Sequence, residues 1–185
     1  MKKILISIAM ILTFTSSFVA ANGYDKTRGM FVDAGAQDYF NNAYGYAMFP
    51  TIGKGGMGIG GAYGEGQVYK QGSYVGDTSM AQVTIGFQLG GQAFSQIIFF
   101  QDKRSFDEFT SGNFEFGAQA TAVALTAGVS AEASTKGSGA SASGGQNNAN
   151  IVGQYSKGMA VFTIAKGGLM YEASIGGQKF TYKSK

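Results

Sequence analysis

An α+β fold that is mostly β, built on a strongly curved antiparallel sheet or a closed barrel-like sheet, follows from three features of the chain. Glycine (30 residues), tyrosine (10) and phenylalanine (15) are abundant and tryptophan is absent, a composition of pleated strands and tight turns. Side chains alternate with a period of two over most of the sequence, as strands require. Only one long stretch, 22–44, lacks that alternation, and it predicts an N-terminal helix over Met30 to Asn42, with Asp25 or Thr27 as cap. A second, short helix is expected after Asp102, with Phe106 and Phe109 on one side and Gly112 as its stop.

The first residues have the form of an export signal. Lys2 and Lys3 precede an apolar run from Ile4 to Phe14, and Val19-Ala20-Ala21 supplies small residues for cleavage. The run is shorter than the ~20 residues that span a bilayer. We expect a signal peptide over 1–21, and one domain over 22–185. Localisation is then outside the cytoplasm: periplasmic, with association with the outer membrane left open. Without Lys2 and Lys3 the 14 cations become 12 against 11 acids, too small an excess to attract nucleic acid.

The stretch from Gly45 to Tyr69 sets the organisation. Gly45 to Phe49 reads as a short strand stopped by Pro50, and Thr51 to Gly55 as a turn. In the strand that follows, Met57, Ile59, Tyr63, Glu65, Gln67 and Tyr69 fall on one side. Gly56, Gly58, Gly60, Ala62, Gly64 and Gly66 fall on the other, a nearly bare face against which something must lie flat. The protein's own helix or sheet is the expected cover. The G-x-G-x-x-G spacings here precede a strand rather than a helix, so they do not form a nucleotide loop.

Lys70 to Ser73 is turn chemistry. Ala81, Val83, Ile85, Phe87 and Leu89 then alternate with polar or small residues. Gly90-Gly91 marks a bend, and Ile97 to Phe100 reads as a strand buried on both faces. Gln82, Gln88, Gln92 and Gln96 form an amide row, expected to face solvent or to be hydrogen-bonded within the sheet. Phe114 to Ser130 alternates again. Residues 134–150 are Ser, Gly, Ala, Asn and Gln, the composition of a flexible loop. Gly158 to Leu169 repeats the pattern of Gly45 to Met57, so two similar hairpins are expected to pair and help close the sheet.

No histidine or cysteine is present. That excludes histidine-based acid–base work, thiol chemistry, disulfides and the usual zinc ligand sets. The carboxylates are scattered, and nothing in their spacing points to an enzyme, a metal or a cofactor.

Phe49-Pro50, Gly53-Lys54-Gly55-Gly56, the block Gly58 to Gly66 (GIGGAYGEG), Ser95-Gln96 with Phe99-Phe100, Phe106 to Phe109, Glu115 to Ala118 and Lys166 to Leu169 together resemble the SYLF domain family. The resemblance implies a non-enzymatic lipid-binding domain. Eukaryotic members associate with phosphoinositide membranes through an amphipathic N-terminal segment, and some bind actin. Bacterial members are exported. For this chain it implies a phospholipid or membrane partner in the cell envelope, with actin disfavoured by export. The expected lipid contacts are Met30, Phe31, Tyr39, Phe40 and Tyr44, with Phe49 and Lys54 beside the glycine turn. The alternatives are a small outer-membrane β-barrel, or a soluble domain whose glycine face docks a partner strand.

Overall fold

The computed structural model describes residues 23–86, 91–118, 120–125, 155–166 and 173–185. The expected leader 1–21, the Ser/Gly/Asn-rich stretch 134–150, Phe87 to Gly90 and the second Lys-Gly-Gly motif, from Gly167 on, lie outside them. The described chain folds into one strongly curved sheet, with an N-terminal helix against its outer face and a short helix at one end of its interior. The sheet order is β4-β8-β2-β1-β3-β6-β5-β7.

The N-terminal helix, α1, covers residues 23–42 and so begins before the expected Met30. Thr27 is inside it and donates to the Gly23 carbonyl (2.8 Å) rather than capping it. A π-helical turn, Val32–Ala36, interrupts it where Gly35 takes φ 101°, and Gln37–Asn42 completes it. A left-handed residue breaks the helix direction, and glycine adopts that conformation with least strain.

β1 (Gly45–Lys70) is a single run of 26 residues that doubles back on itself. Its first half pairs with β3 (Gln92–Phe100) and its second half with β2 (Ser73–Gly86). The two halves lie side by side. Gln71 N–H reaches the Tyr44 carbonyl (3.2 Å), and the Tyr46 and Tyr69 rings stack at 4.8 Å. Pro50 therefore does not stop the strand. It sits in a register shift between Phe49 and Ile52, a bulge where no ladder N–H is needed. The turn comes later than expected, at Gly56, whose φ is 150° and whose α-carbon faces Gly60 too closely for any side chain.

At Gly64 and Gly66 the bare face is covered by this same strand. A Cβ on Gly66 would stand 2.6 Å from the Met48 carbonyl and 2.7 Å from the Phe49 ring, and one on Gly64 would stand 2.6 Å from Ile52 Cγ1. Glycine is needed there because Phe49 and Ile52, from the other half of β1, fill that space. Gly60 lies further along the strand, opposite Thr84 of β2, and Gly58 opposite Gly86.

Gln71 (φ 48°) and Gly72 (φ 79°) form the tight turn into β2. Ile97 and Phe99 of β3 join the outer cluster, Ile98 and Phe100 the inner one, and all four are fully buried. The expectation of a strand covered on both faces holds. α2 (Lys103–Thr110) carries a capping box in which Asp102 accepts from Ser105 N–H (2.8 Å). Its Phe106 and Phe109 plug the interior against Phe100 and Phe180.

The expected strand from Phe114 is two short ones, β4 (Phe114–Glu115) and β5 (Thr121–Leu125), joined by a bend. β6 (Met159–Lys166) pairs antiparallel with β3 but parallel with β5, so the sheet is mixed rather than purely antiparallel. β1 and β6, the similar segments, do not pair with each other; they flank β3 on its two edges. β7 (Ala173–Ser174) and β8 (Lys179–Ser184) follow. The run 114–125 pairs with β8 at its start and with β6 at its end, drawing the two sides of the curved sheet together.

Candidate functional site

Among the described residues, the sheet wall is interrupted beside β6. β6 pairs with β3 along its length but with β5 only from Phe162 to Ile164, opposite Val123 to Leu125. Before that point the 116–120 segment bends away to follow 175–178. Phe116 N–H bonds to the Gln178 carbonyl (3.0 Å), and Ile175 N–H to the Ala120 carbonyl (3.2 Å). Among the described residues, the first half of β6 has no strand partner on that edge. The gap is a cavity of about 390 Å³, within the range of small-ligand sites. One side of it is apolar, where Phe114, Phe116, Ala120, Met159, Val161 and Ile175 lead into the inner core, and polar groups make up a comparable share of its surface, Glu108, Glu115, Ser156 and Lys157 among them.

The rim is charged. Glu108 lies 3.4 Å from Arg104 Nη1, and Glu115 lies 3.5 Å from Lys179 Nζ. Arg104 Nη2 also donates to the Lys157 carbonyl (3.0 Å), which fixes the turn that starts β6. In that turn Lys157 (φ 52°) and Gly158 (φ 82°) stand between Ser156 and Met159, which exchange backbone hydrogen bonds of 2.9 and 3.0 Å. The ammonium of Lys157 is a rim charge with no ion pair among the described residues.

The expected lipid contacts do not converge on one place. Phe31 and Tyr39 are buried against the outer face of the sheet, where the Tyr39 ring lies 5.1 Å from Phe99 and 4.9 Å from Phe162. Met30 and Phe40 are half-buried in the same cluster, and the Arg28 guanidinium sits 4.7 Å over the Phe40 ring. Tyr44 and Phe49 belong to the inner core; Tyr44 meets Phe106 at 5.5 Å, and Phe49 is fully buried. Lys54 stands opposite Gln92 near the β1 turn. Gly64 and Gly66 pack on Phe49 and Ile52, and Gly56 shapes the turn.

The amide row is partly internal. Gln96 and Gln178 are fully buried and exchange two hydrogen bonds, Gln96 Nε2 to Gln178 Oε1 (2.9 Å) and Gln178 Nε2 to Gln96 Oε1 (3.1 Å). Gln82 Nε2 donates to the Gly176 carbonyl (2.9 Å), whereas Gln92 is exposed. These bonds tie β2 and β3 to the turn before β8 across the interior, so they serve the curvature of the sheet. Among the described residues, no three acidic side chains gather to hold a metal ion.

Ionisable chemistry concentrates under α1 instead. Burial pushes the Tyr24 and Tyr155 phenols up to about 12, and burial raises Tyr39, Tyr46 and Tyr69 as well. These groups stay neutral and packed at neutral pH.

The slot residues were not singled out by sequence reasoning. Phe114 showed only as alternation, Phe116 as alternation and within the Glu115 to Ala118 step of the resemblance, Gly158 only as the start of the repeated motif, and Lys157 not at all. The cavity depends on where the β5–β6 ladder stops.

A family model, Ysc84, described as Las17-binding protein actin regulator, matches residues 81–185, more than half of the chain. The chain belongs to the Ysc84 (SYLF) family. Comparison with curated proteins gave no match. The Ysc84 match starts within β2 and runs to the C-terminus, so it contains α2, β3 to β8 and every lining residue of the slot. α1 and the doubled strand β1 precede the matched region.

Proposed function

We propose that this Ysc84-family protein is a non-enzymatic lipid-binding protein of the bacterial cell envelope, exported by its N-terminal leader. The observation that carries the reading is the slot of about 390 Å³, open to the surface, whose apolar side is continuous with the inner core and whose rim is charged. An acyl chain laid on the apolar side gains about 25 cal/mol for each Å² it removes from water. The family resemblance points to the same class of ligand. Export separates the chain from cytoplasmic actin, so the actin connection in the family's description is not proposed here.

The arrangement of polarity argues against an outer-membrane barrel. Such barrels carry an apolar belt outside and a polar lumen inside. Here phenylalanines fill the interior, and a helix covers part of the outer face. At Gly64 and Gly66 the glycine face offers no dock for a partner strand, because Ile52, Met48 and Phe49 of β1 itself occupy it.

Protein purified without detergent should release lipid into an organic extract, detected by mass spectrometry, and should float with phospholipid vesicles. Absence of lipid in both experiments refutes the proposal.

A further inference from the structure

We infer that the slot between β6 and the 116–120 bend takes one acyl chain of a single-chain anionic amphiphile, with its head held by Lys157. This rests on the lipid-binding reading and narrows it in two respects, chain number and head charge.

Chain number follows from volume. At roughly 30 Å³ for each group of methylene size, close to the share of a water molecule in the liquid, about 390 Å³ holds on the order of a dozen such groups. That is one medium-length chain. Two chains of a diacyl phospholipid exceed the space, and the surrounding wall is fixed by the β3–β6 ladder and by the hydrogen bonds of 116–120 to 175–178.

Head charge follows from the rim. Glu108 and Glu115 face cations already, Arg104 and Lys179 respectively, and Arg104 is also tied to the Lys157 carbonyl. Lys157 is left to pair with an incoming anion. It stands at the mouth, one turn residue before Gly158, while Met159 and Val161 of the same strand line the wall behind it. A chain lying along Met159 and Val161 brings its head group to the Lys157 end. A carboxylate and a phosphate monoester or diester share the required chemistry: a compact anion that accepts from an ammonium.

The test uses the full exported chain, stripped of lipid, and isothermal titration with dodecanoate, a lauroyl lysophospholipid with a phosphoglycerol head, and neutral dodecanol. Vesicles of diacyl phosphatidylglycerol are tested in parallel by flotation. Saturable one-to-one binding of either anion, weakened about fivefold by Lys157→Asn with dodecanol unaffected, is the expected result. Asparagine tolerates positive φ, so the turn survives the change. Val123→Phe, at the partly exposed mouth, should abolish binding of all three probes while leaving the melting temperature close to that of the parent. The two anions show whether a carboxylate or a phosphate source is preferred. Dodecanol bound as tightly as the anions overturns the role of Lys157. Flotation with vesicles and no binding of any single-chain probe overturns the inference and leaves the lipid-binding reading standing. No binding and no flotation overturns both.

Discussion

The outer face of the sheet differs at its two ends. Near the start of β1, Tyr46, Met48, Ile97 and Phe99 lie under α1 and are almost wholly removed from water. Toward the β1 turn, Ile59 on the second half of β1 and Val83 on β2 are 73% and 77% exposed, and Tyr63, on the same face, is exposed too. Both ends carry alternating apolar residues, and their local patterns look alike. Coverage separates them, since α1 lies across only one end. Apolar alternation therefore reports which residues share a face, and a separate element decides whether that face is core.

Four measurements test this contrast, from the largest expected change down. Phe99→Ala removes a ring packed on Tyr39, Phe40 and Phe162, and should cost about 3–5 kcal/mol in urea denaturation. A loss below about 1 kcal/mol would mean that α1 is not clamped on the sheet. Gly66→Val forces a side chain into Phe49 and the Met48 carbonyl, and should cost about 1–3 kcal/mol or more. Retained stability there would contradict the doubling back of β1.

The third is a pH effect confined to the covered end. Tyr24 and Tyr155 are held neutral in the folded state, with values pushed up to about 12, while the unfolded chain ionises near 10. The unfolded state then binds fewer protons than the folded one, so stability declines as pH rises. It should be intact below about pH 10, fall between about 10 and 12, and go on falling above as the more strongly raised Tyr39 and Tyr69 ionise. Tyrosinate absorbance followed together with circular dichroism would show ionisation and unfolding in step. Ionisation of all tyrosines near 10 without unfolding would contradict their burial. Last, Val83→Ser at the bare end should stay within ~0.5 kcal/mol of the parent by thermal melting. A larger loss would mean that this end is also covered.

Much of the architecture was legible in the sequence because its signals are local. Asp102 with Ser105, the Gln71-Gly72 turn, and the two-sided burial of Ile97 to Phe100 depend on a few neighbouring residues. The glycine face announced a close neighbour for the same reason. Features that depend on distant chain were not legible. Pro50 reads as a stop unless the bulge opposite β3 is known. Phe31 and Tyr39 look the same in sequence whether they meet lipid or Phe99. The slot is framed by α2, the 116–120 bend, the 156–161 segment and Ile175, and no spacing rule links them.

The pairing of β2 with β8 also bears on how the molecule assembles in time. Thr78 bonds to the Thr181 carbonyl and Ser79 contacts the Thr181 hydroxyl, partners 103 and 102 positions apart along the chain. β8 is the last strand, and β4 and β2 both depend on it for their edges. Closing so long a loop costs entropy before any contact repays it, and topologies of this kind fold in about milliseconds to seconds rather than microseconds. Until the C-terminal residues dock, Met80 and the Phe109–Phe114 aromatic group lack their Phe180 partner and stand open. The interval before β8 arrives is thus when this chain is most exposed to aggregation.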